Sequence, residues 1–344
     1  MIDSQEEKYL GDQICSNGKH ASTVAKRRAK GYGIISDILQ ILDQIYDSER
    51  RIKVGLELRQ AWFVNAMLVN VEAWHNVMKK DVDVFIKMDN YIVRKIIDSH
   101  SKVPKELLFL ETGAVPLEFI LASRRLNYYH TIISRDENEL TKRIFNAQKN
   151  NPTKGDWIQY VLEDKELLEI SMNEEEIKSK TSIEFKQIVK KSVKYAAFQS
   201  LKEIKSRHTK GSNIKYDVFA SQPYLNSDGF SHQERSTLFN LRAETQNGFK
   251  KCFSSMYKAN LKCSLGCSEE DTLGHIYICP VLDQHVKSTD IRISDIYTEV
   301  KQQKIAVSEF IYRENMRSVL LQATSASQGD TQILDTSTRA ADVA

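Results

Sequence analysis

The chain has 344 residues, with 49 lysines and arginines against 46 aspartates and glutamates, so its net charge is only +3. Affinity for nucleic acid would therefore have to come from local clusters of charge and not from the total. No stretch approaches the roughly 18 consecutive apolar residues of a membrane span, and the first residues contain no signal-peptide core. These features exclude a membrane-spanning or secreted protein, and we expect an intracellular one, in the nucleus or the cytoplasm.

Only 5 prolines and 13 glycines interrupt the chain, which favours a mainly α fold. The first predicted element is a short strand over residues 7–15, with no second strand in reach. A lone strand cannot satisfy its backbone hydrogen bonds, so it is expected to be the edge of something larger. Apolar residues at helical spacing then predict a series of helices. These span residues 22–45, 56–79, 81–98, 105–110, 117–132 and 140–148, a helix from Trp157, and residues 182–204, 233–244 and 290–321.

Local signals predict where several of these helices begin and end. Pro104 and Pro116 are expected to open helices, Gly113 to end one, and Asp156 to cap the helix that starts at Trp157. The helix over 56–79 is apolar on most of its circumference, which predicts a buried core helix. The acidic segment 163–176 is expected to be a solvated connector. Residues 323–344 lack apolar periodicity and are expected to form a disordered tail.

Three cysteines and one histidine fall within 17 residues, at Cys263, Cys267, His275 and Cys279. Thiolate and imidazole ligands suit tetrahedral zinc, and Gly266 would permit a tight turn between the first two cysteines. His275 and Cys279 are four residues apart, which predicts that they share one face of a helix. Four protein ligands leave no open position, so the pattern predicts a structural zinc. The alternative is a set of idle or buried thiols beside a chance histidine.

A basic segment follows the acidic one. Residues 186–215 contain nine lysines and arginines against one glutamate, a local balance of +8. Lys186, Lys190 and Lys194 form a stripe with a spacing of four residues, and such like charges oppose helix formation slightly. A polyanion would relieve the repulsion and release counterions. The alternative is a lysine-rich face that serves only solubility.

Several short segments are informative when taken in chain order: Lys8-Tyr-Leu-Gly11, the segments from Gly31 and from Leu56 to His75, those beginning at Glu111, Ser123, Arg135 and Asn151, and the Cys263–Cys279 stretch. Together they resemble the C-terminal part of reverse transcriptases from non-LTR (LINE-type) retrotransposons. The first of them resembles the primer-grip strand, and the segments from Gly31 and from Leu56 resemble the thumb. Phrases beginning at Glu111, Ser123, Arg135 and Asn151 resemble the region beyond the thumb. The Cys263–Cys279 stretch is similar to the C-terminal zinc knuckle of this family. The resemblance covers roughly residues 7 to 285.

The resemblance implies a helical thumb and connector bundle with a small C-terminal zinc-knuckle module. The expected parts are a palm remnant (1–19), a thumb-like domain (20–111), a connector (112–250), a CCHC knuckle (251–285), a helical segment (286–322) and a tail (323–344). The family's polymerase uses paired aspartates, which are absent here: no Asp-Asp pair occurs in the sequence, and the fingers, most of the palm and the downstream endonuclease are missing. We therefore expect a C-terminal portion without catalytic residues.

The expected function is the non-catalytic binding of RNA or DNA, mostly through contacts to phosphate, with one structural zinc. The alternatives are part of an active reverse transcriptase whose palm is encoded upstream, or an inert relic or interaction scaffold. The expected metal ligands are Cys263, Cys267, His275 and Cys279. The expected nucleic-acid contacts are Lys26, Arg27, Arg28, Lys30, Arg124, Arg125, Lys190, Lys191, Lys194, Lys250 and Lys251.

Overall fold

A computed structural model describes residues 6–9, 12–15, 20–45, 48–75, 79–153, 155–207, 214–246, 249, 261–286 and 289–338. Helices make up most of these residues, which confirms the mainly α fold class. None of the described helices combines the length and the apolar character that crossing a bilayer requires. The chain divides into two compact units. The first comprises Met1–Asp98, Pro104–Thr209 and Lys215–Asn226, and the second Ser99–Val103, Lys210–Ile214 and Ser227–Ala344.

The finer division expected from the sequence stays a prediction: residue 111, where the thumb-like domain was expected to end, lies inside the first unit, and residue 250 lies outside the described residues. The first unit contains β1 (Glu6–Tyr9), β2 (Asp12–Cys15), α1 (Ala21–Asp43), α2 (Ser48–Leu58), α3 (Asn65–Leu68), α4 (Lys79–Ile97), α5 (Lys105–Thr112), α6 (Leu117–Ile133), α7 (Leu140–Asn150), α8 (Trp157–Leu167), α9 (Glu174–Lys178), α10 (Ser182–Ser206) and α11 (Pro223–Asn226).

The prediction of a single strand over residues 7–15 is wrong. β1 and β2 pair antiparallel with each other, and the register joins Glu6 to Cys15 and Tyr9 to Asp12. Each strand therefore pairs one edge of its backbone within the same short segment and is not a lone strand.

The apolar helix predicted over residues 56–79 has different bounds. It begins earlier, at Ser48, passes through a π-helical segment at Arg59–Val64, and ends with α3 at Leu68. It ends there because Val69 is extended (ψ 125°) and Asn70 takes a left-handed conformation (φ 59°), which asparagine tolerates better than most residues. Its burial was predicted correctly for one side, since Phe63 and Met67 are fully buried, whereas Trp62 is 47% exposed.

Proline and glycine set the ends of α5 and α6, as predicted. Pro104 and Pro116 precede the first residues of the two helices, and Gly113 ends α5 with a left-handed φ of 65°. A side chain at Gly113 would have its Cβ 2.5 Å from the backbone nitrogen of Ser221, so only glycine fits this close approach. Asp156 precedes α8, but its carboxylate accepts from the backbone of Thr153 and does not cap the helix.

One core of the first unit is formed where α6, α8 and α10 pack together. Phe119, Leu126 and Ile133 of α6, Val161 of α8, and Val189 and Ala197 of α10 all belong to this buried cluster. A buried carboxylate joins α5 to residues 215–226. Glu111, at the end of α5, accepts hydrogen bonds from the hydroxyls of Tyr216 (2.7 Å) and Tyr224 (2.8 Å). Residues 215–226 are thereby fixed against α5.

The second unit contains α12 (His232–Arg242), α13 (Pro280–Asp283), α14 (Val300–Thr338) and 3₁₀ turns at Gly274–Tyr277 and Ile293–Tyr297. Ser231 and Glu234 form a capping box that starts α12. Glu234 also accepts from Lys304 and Ser308, which joins α12 to α14.

The helix predicted over residues 290–321 is divided, since a 3₁₀ turn precedes α14. The disordered tail predicted from residue 323 is also corrected, because α14 continues to Thr338. No proline interrupts residues 323–338, and extending an existing helix costs far less than starting one, because each added residue brings a backbone hydrogen bond.

Candidate metal centre and basic surfaces

The four residues predicted as metal ligands converge at one place in the second unit. The ligand atoms of Cys263, Cys267, His275 and Cys279 all lie within 4.8 Å of one another, and Cys267 Sγ is 3.0 Å from His275 Nε2. Ligands bound tetrahedrally to zinc at about 2.0–2.3 Å lie roughly 3.3–3.8 Å apart. The observed spread therefore fits a single metal ion after small side-chain movements.

A turn presents the first two cysteines, as predicted. The backbone N–H of Gly266 donates to the carbonyl of Cys263 (3.1 Å), and Gly266 has a φ of +87°, which a residue with a side chain would rarely adopt. The N–H of Leu265 points at Cys263 Sγ across 3.4 Å. This contact favours a negatively charged sulfur, which is the form that binds a metal.

The second pair of ligands does not share one face of an α-helix, so that prediction is wrong. His275 lies in the 3₁₀ turn Gly274–Tyr277, and Cys279 is extended (φ −69°, ψ 116°). Pro280 is the reason, because its fixed φ and missing N–H suit the first position of a helix, and α13 accordingly begins at Pro280. A turn and a helix start, not a helical repeat, bring the two side chains together.

Burial sets the charge state that the cluster prefers without a cation. It raises the pKa of the Cys263 and Cys279 thiols and lowers the pKa of His275. A neutral imidazole is ready to bind a metal, whereas the buried thiolates need a compensating positive charge. A divalent cation would supply that charge.

Two buried arginines of α14 hold the Cys/His segment, and sequence reasoning missed both. Arg317 Nη2 donates to both carboxylate oxygens of Asp271 at 2.9 Å and to Ser264 Oγ at 3.3 Å. Its guanidinium also lies 4.3 Å from the centre of the Phe249 ring. Asp271 and Ser264 stand within the segment that carries the ligands, so this pair orients the metal-binding loop.

The second arginine, Arg313, is fully buried. It donates to Glu309 (2.6 Å), to Asp283 (2.8 Å) and to the backbone carbonyl of Ile276 (3.2 Å). Tyr277 adds a hydroxyl bond to the carbonyl of Ala306 (3.0 Å). The helical periodicity of the sequence could have indicated that both arginines are buried, because they lie three and seven residues after the buried Phe310, on the apolar face of the helix.

The predicted basic residues of α1 divide into exposed and buried ones. Lys26, Arg28 and Lys30 are exposed, as a phosphate contact requires. Arg27 is only 5% exposed, donates to the carbonyl of Met67 at 2.9 Å, and lies 4.8 Å from the centre of the Trp74 ring. Its prediction as a nucleic-acid contact is wrong, because its position in the helix points it into the core.

The same correction applies to Arg125 of α6, whereas Arg124 stays a prediction. Arg125 is 5% exposed and forms a 2.7 Å ion pair with Asp164, and Arg124 is partly buried and donates to Asn65. Burial also lowers the pKa of Arg124. Each guanidinium therefore already has an internal partner. Asp164 is therefore no part of a solvated connector, and burial raises its pKa to about 6 against the lowering effect of Arg125.

Lys190, Lys191 and Lys194 of α10 are exposed, and so is Lys186. No ion pair joins these four lysines to a carboxylate in the part of the chain that the structure describes. The last two predicted contacts, Lys250 and Lys251, lie outside the described residues.

The chain was compared with protein-family models, with curated proteins and with solved structures, and none of the three comparisons found a match. The resemblance to a retrotransposon reverse transcriptase therefore rests on the sequence phrases alone.

Proposed function

We propose that this chain is a non-catalytic nucleic-acid-binding protein, similar to the C-terminal region of a LINE-type reverse transcriptase and stabilised by one structural zinc. The observation that carries the proposal is the exposed lysine face of α10, where four lysines have no carboxylate partner among the described residues. Charges left without an internal partner are free to contact phosphates, and binding there would release counterions from the nucleic acid.

Zinc is the metal that the Cys/His cluster fits best, because three sulfurs and one imidazole nitrogen are its usual structural ligands. Bound zinc would supply a cross-link between the turn at Cys263–Gly266 and the turn at Gly274–Tyr277. The four side chains fill the coordination shell, which leaves no position for water or substrate. The chain's own contribution is to hold these ligands, through Asp271 and Arg317, against α14.

Metal content of the purified chain tests the zinc part of the proposal. We expect about one equivalent of zinc in the wild type and none in Cys267→Ser. Cys15→Ser is the matched control, because Cys15 is not one of the four predicted ligands. Zinc retained by Cys267→Ser, or absent from the wild type, would reject the site.

Phosphate contacts give affinity without reading base sequence. Binding should therefore be nearly independent of sequence and should weaken steeply as salt rises. The sequence contains no Asp-Asp pair to hold the two metal ions of a polymerase, so the chain alone is proposed not to extend a primer.

A fluorescence anisotropy titration with labelled RNA and DNA, at about 50 and about 200 mM salt, tests the binding. We expect measurable affinity at low salt and a large loss at high salt. A primer-extension assay on the same preparation should give no product. The proposal fails if nothing binds at low salt, and its non-catalytic part fails if nucleotides are incorporated.

A further inference from the structure

The outward face of α10 has a regular geometry. Lys186, Lys190 and Lys194 are exposed and four residues apart, which places their Cα atoms about 6 Å apart along the helix axis. This rise is close to the separation of neighbouring phosphates along one nucleic-acid strand. No acidic residue occurs between Lys186 and Lys202. The face therefore matches a line of negative charges that runs parallel to the helix.

An exposed aromatic ring lies on the same helix. Tyr195 is four residues after the exposed Lys191, so the two side chains lie on one side of α10, and Tyr195 is 54% exposed. Its ring has no aromatic or cationic partner among the described residues. The next ring along the helix, Phe198, is by contrast tilted against Phe219 at a centroid distance of 6.0 Å and lies 4.9 Å from the Lys202 ammonium. Tyr195 thus presents a free aromatic surface next to Lys191, on the exposed part of the helix that also carries the lysine stripe.

The rest of α10 is already occupied, which leaves this face as its available surface. The inner side, including Phe185, Val189 and Val193, is buried. At the N-terminus, Thr181 and Glu184 form a complete capping box, which satisfies the backbone N–H groups of both residues and places the Glu184 carboxylate where an anion would otherwise bind. The buried inner side and the capping box both hold α10 in place.

From this geometry we infer that the lysine face of α10 binds a single-stranded nucleic acid, with phosphates on Lys186, Lys190 and Lys194 and one base stacked on Tyr195. The inference rests on the proposed nucleic-acid binding and specifies where and in which form the ligand binds. A single strand is favoured because stacking on an aromatic ring requires an exposed base face, which a base pair within a duplex does not offer. In an A-form duplex, moreover, the narrow major groove excludes side chains.

Three probes of equal length separate the two kinds of contact: a single-stranded oligonucleotide, an abasic phosphodiester oligomer and a duplex. Tyr195→Ala should weaken binding of the single strand about tenfold, whereas Tyr195→Phe, which keeps the ring, should change it by less than about threefold. Neither variant should alter affinity for the abasic oligomer, because that probe has no base to stack. Tyr195 is an exposed surface residue, so both variants should fold, and circular dichroism verifies this.

A charge variant tests the position of the strand. The triple variant Lys186→Gln/Lys190→Gln/Lys194→Gln should weaken binding of both the single strand and the abasic oligomer, by about tenfold or more at low salt. Its matched control is Lys79→Gln/Lys80→Gln/Lys87→Gln, which removes the same charge from exposed lysines of α4 and should have a clearly smaller effect.

The outcomes distinguish this inference from the proposed function. If the wild type binds none of the probes, both fail. If it binds but Tyr195→Ala and the α10 charge variant match the wild type and the α4 control, only the α10 site is overturned. Equal loss of the single strand and the abasic oligomer on Tyr195→Ala, or tighter binding of the duplex than of the single strand, would refute the stacked single strand.

Discussion

Replacing Arg317 by methionine should loosen the metal-binding segment from α14. The change keeps a long side chain but leaves the Asp271 carboxylate buried without the guanidinium that neutralises it. Both side chains are nearly inaccessible, at 6% and 2% exposed. Removing one partner of such a pair costs about 3–5 kcal/mol, because a buried charge is left uncompensated.

This cost predicts a large change in local opening. At 1.4 kcal/mol for each factor of ten, 3 kcal/mol corresponds to a roughly 150-fold increase in the opening equilibrium. Amide hydrogen exchange, followed by mass spectrometry, should show faster exchange by about this factor in residues 261–279 and in the first half of α14. A local measurement is preferable because a chain of two units need not unfold in one step.

Two controls accompany the variant. Asp271→Asn/Arg317→Met removes both charges and should recover much of the loss, since no unpaired charge remains. Arg207→Met breaks the exposed pair with Glu203, whose side chains are 68% and 69% exposed, and should change exchange there little, as such pairs contribute at most about 1 kcal/mol. The reasoning is refuted if the amide hydrogen exchange rates of residues 261–279 in Arg317→Met stay within about threefold of those in the wild type.

Two further predictions concern stability. Gly33→Ala should stabilise the chain by about 0.5–1 kcal/mol, because its Cβ would meet nothing within 4 Å. Gly31→Ala should stabilise it less, since its Cβ would lie 2.5 Å from Met88 Cε and 3.0 Å from Met67 Sδ and the ends of these flexible side chains would have to move. Thermal unfolding of the two variants checks this, and equal shifts would contradict it. The pKa of Asp164 is raised to about 6, so its stabilising contribution is complete below pH 4 and is lost as pH rises through 6. The unfolding free energy of the wild type should accordingly fall, relative to Asp164→Asn, by up to about 3 kcal/mol between pH 4 and pH 7 in urea titrations, and a difference that does not change with pH would be evidence against the burial of this carboxylate.

Features that depend on neighbouring residues could be predicted from the sequence. Pro104, Pro116 and Gly113 set helix ends through backbone constraints that act locally, and they do so in the structure. The Cys/His cluster could be predicted for a similar reason, because its ligands lie within 17 residues. Its second half was misjudged, since a spacing of four residues suits a turn before Pro280 as well as a helix.

Features that depend on distant partners could not be predicted. The ion pair of Arg125 with Asp164 joins residues 39 positions apart, and the bonds of Glu111 to Tyr216 and Tyr224 span more than 100. Counting charges along the sequence cannot distinguish an arginine that is paired with a distant carboxylate from an arginine that is exposed to solvent. Helical position could have corrected one error, because Arg27 shares the buried face of Val24, Gly31 and Ile35.

The salt dependence of binding is the most direct test of the claim that exposed lysines bind a polyanion. A plot of log affinity for a single-stranded RNA against log salt concentration should be steep for the wild type. Each lysine that contacts a phosphate contributes about 0.7 to the slope, so Lys186→Gln/Lys190→Gln/Lys194→Gln should reduce it by about 2. A wild-type affinity that does not change with salt, or a slope that the three substitutions leave unchanged, would contradict the claim.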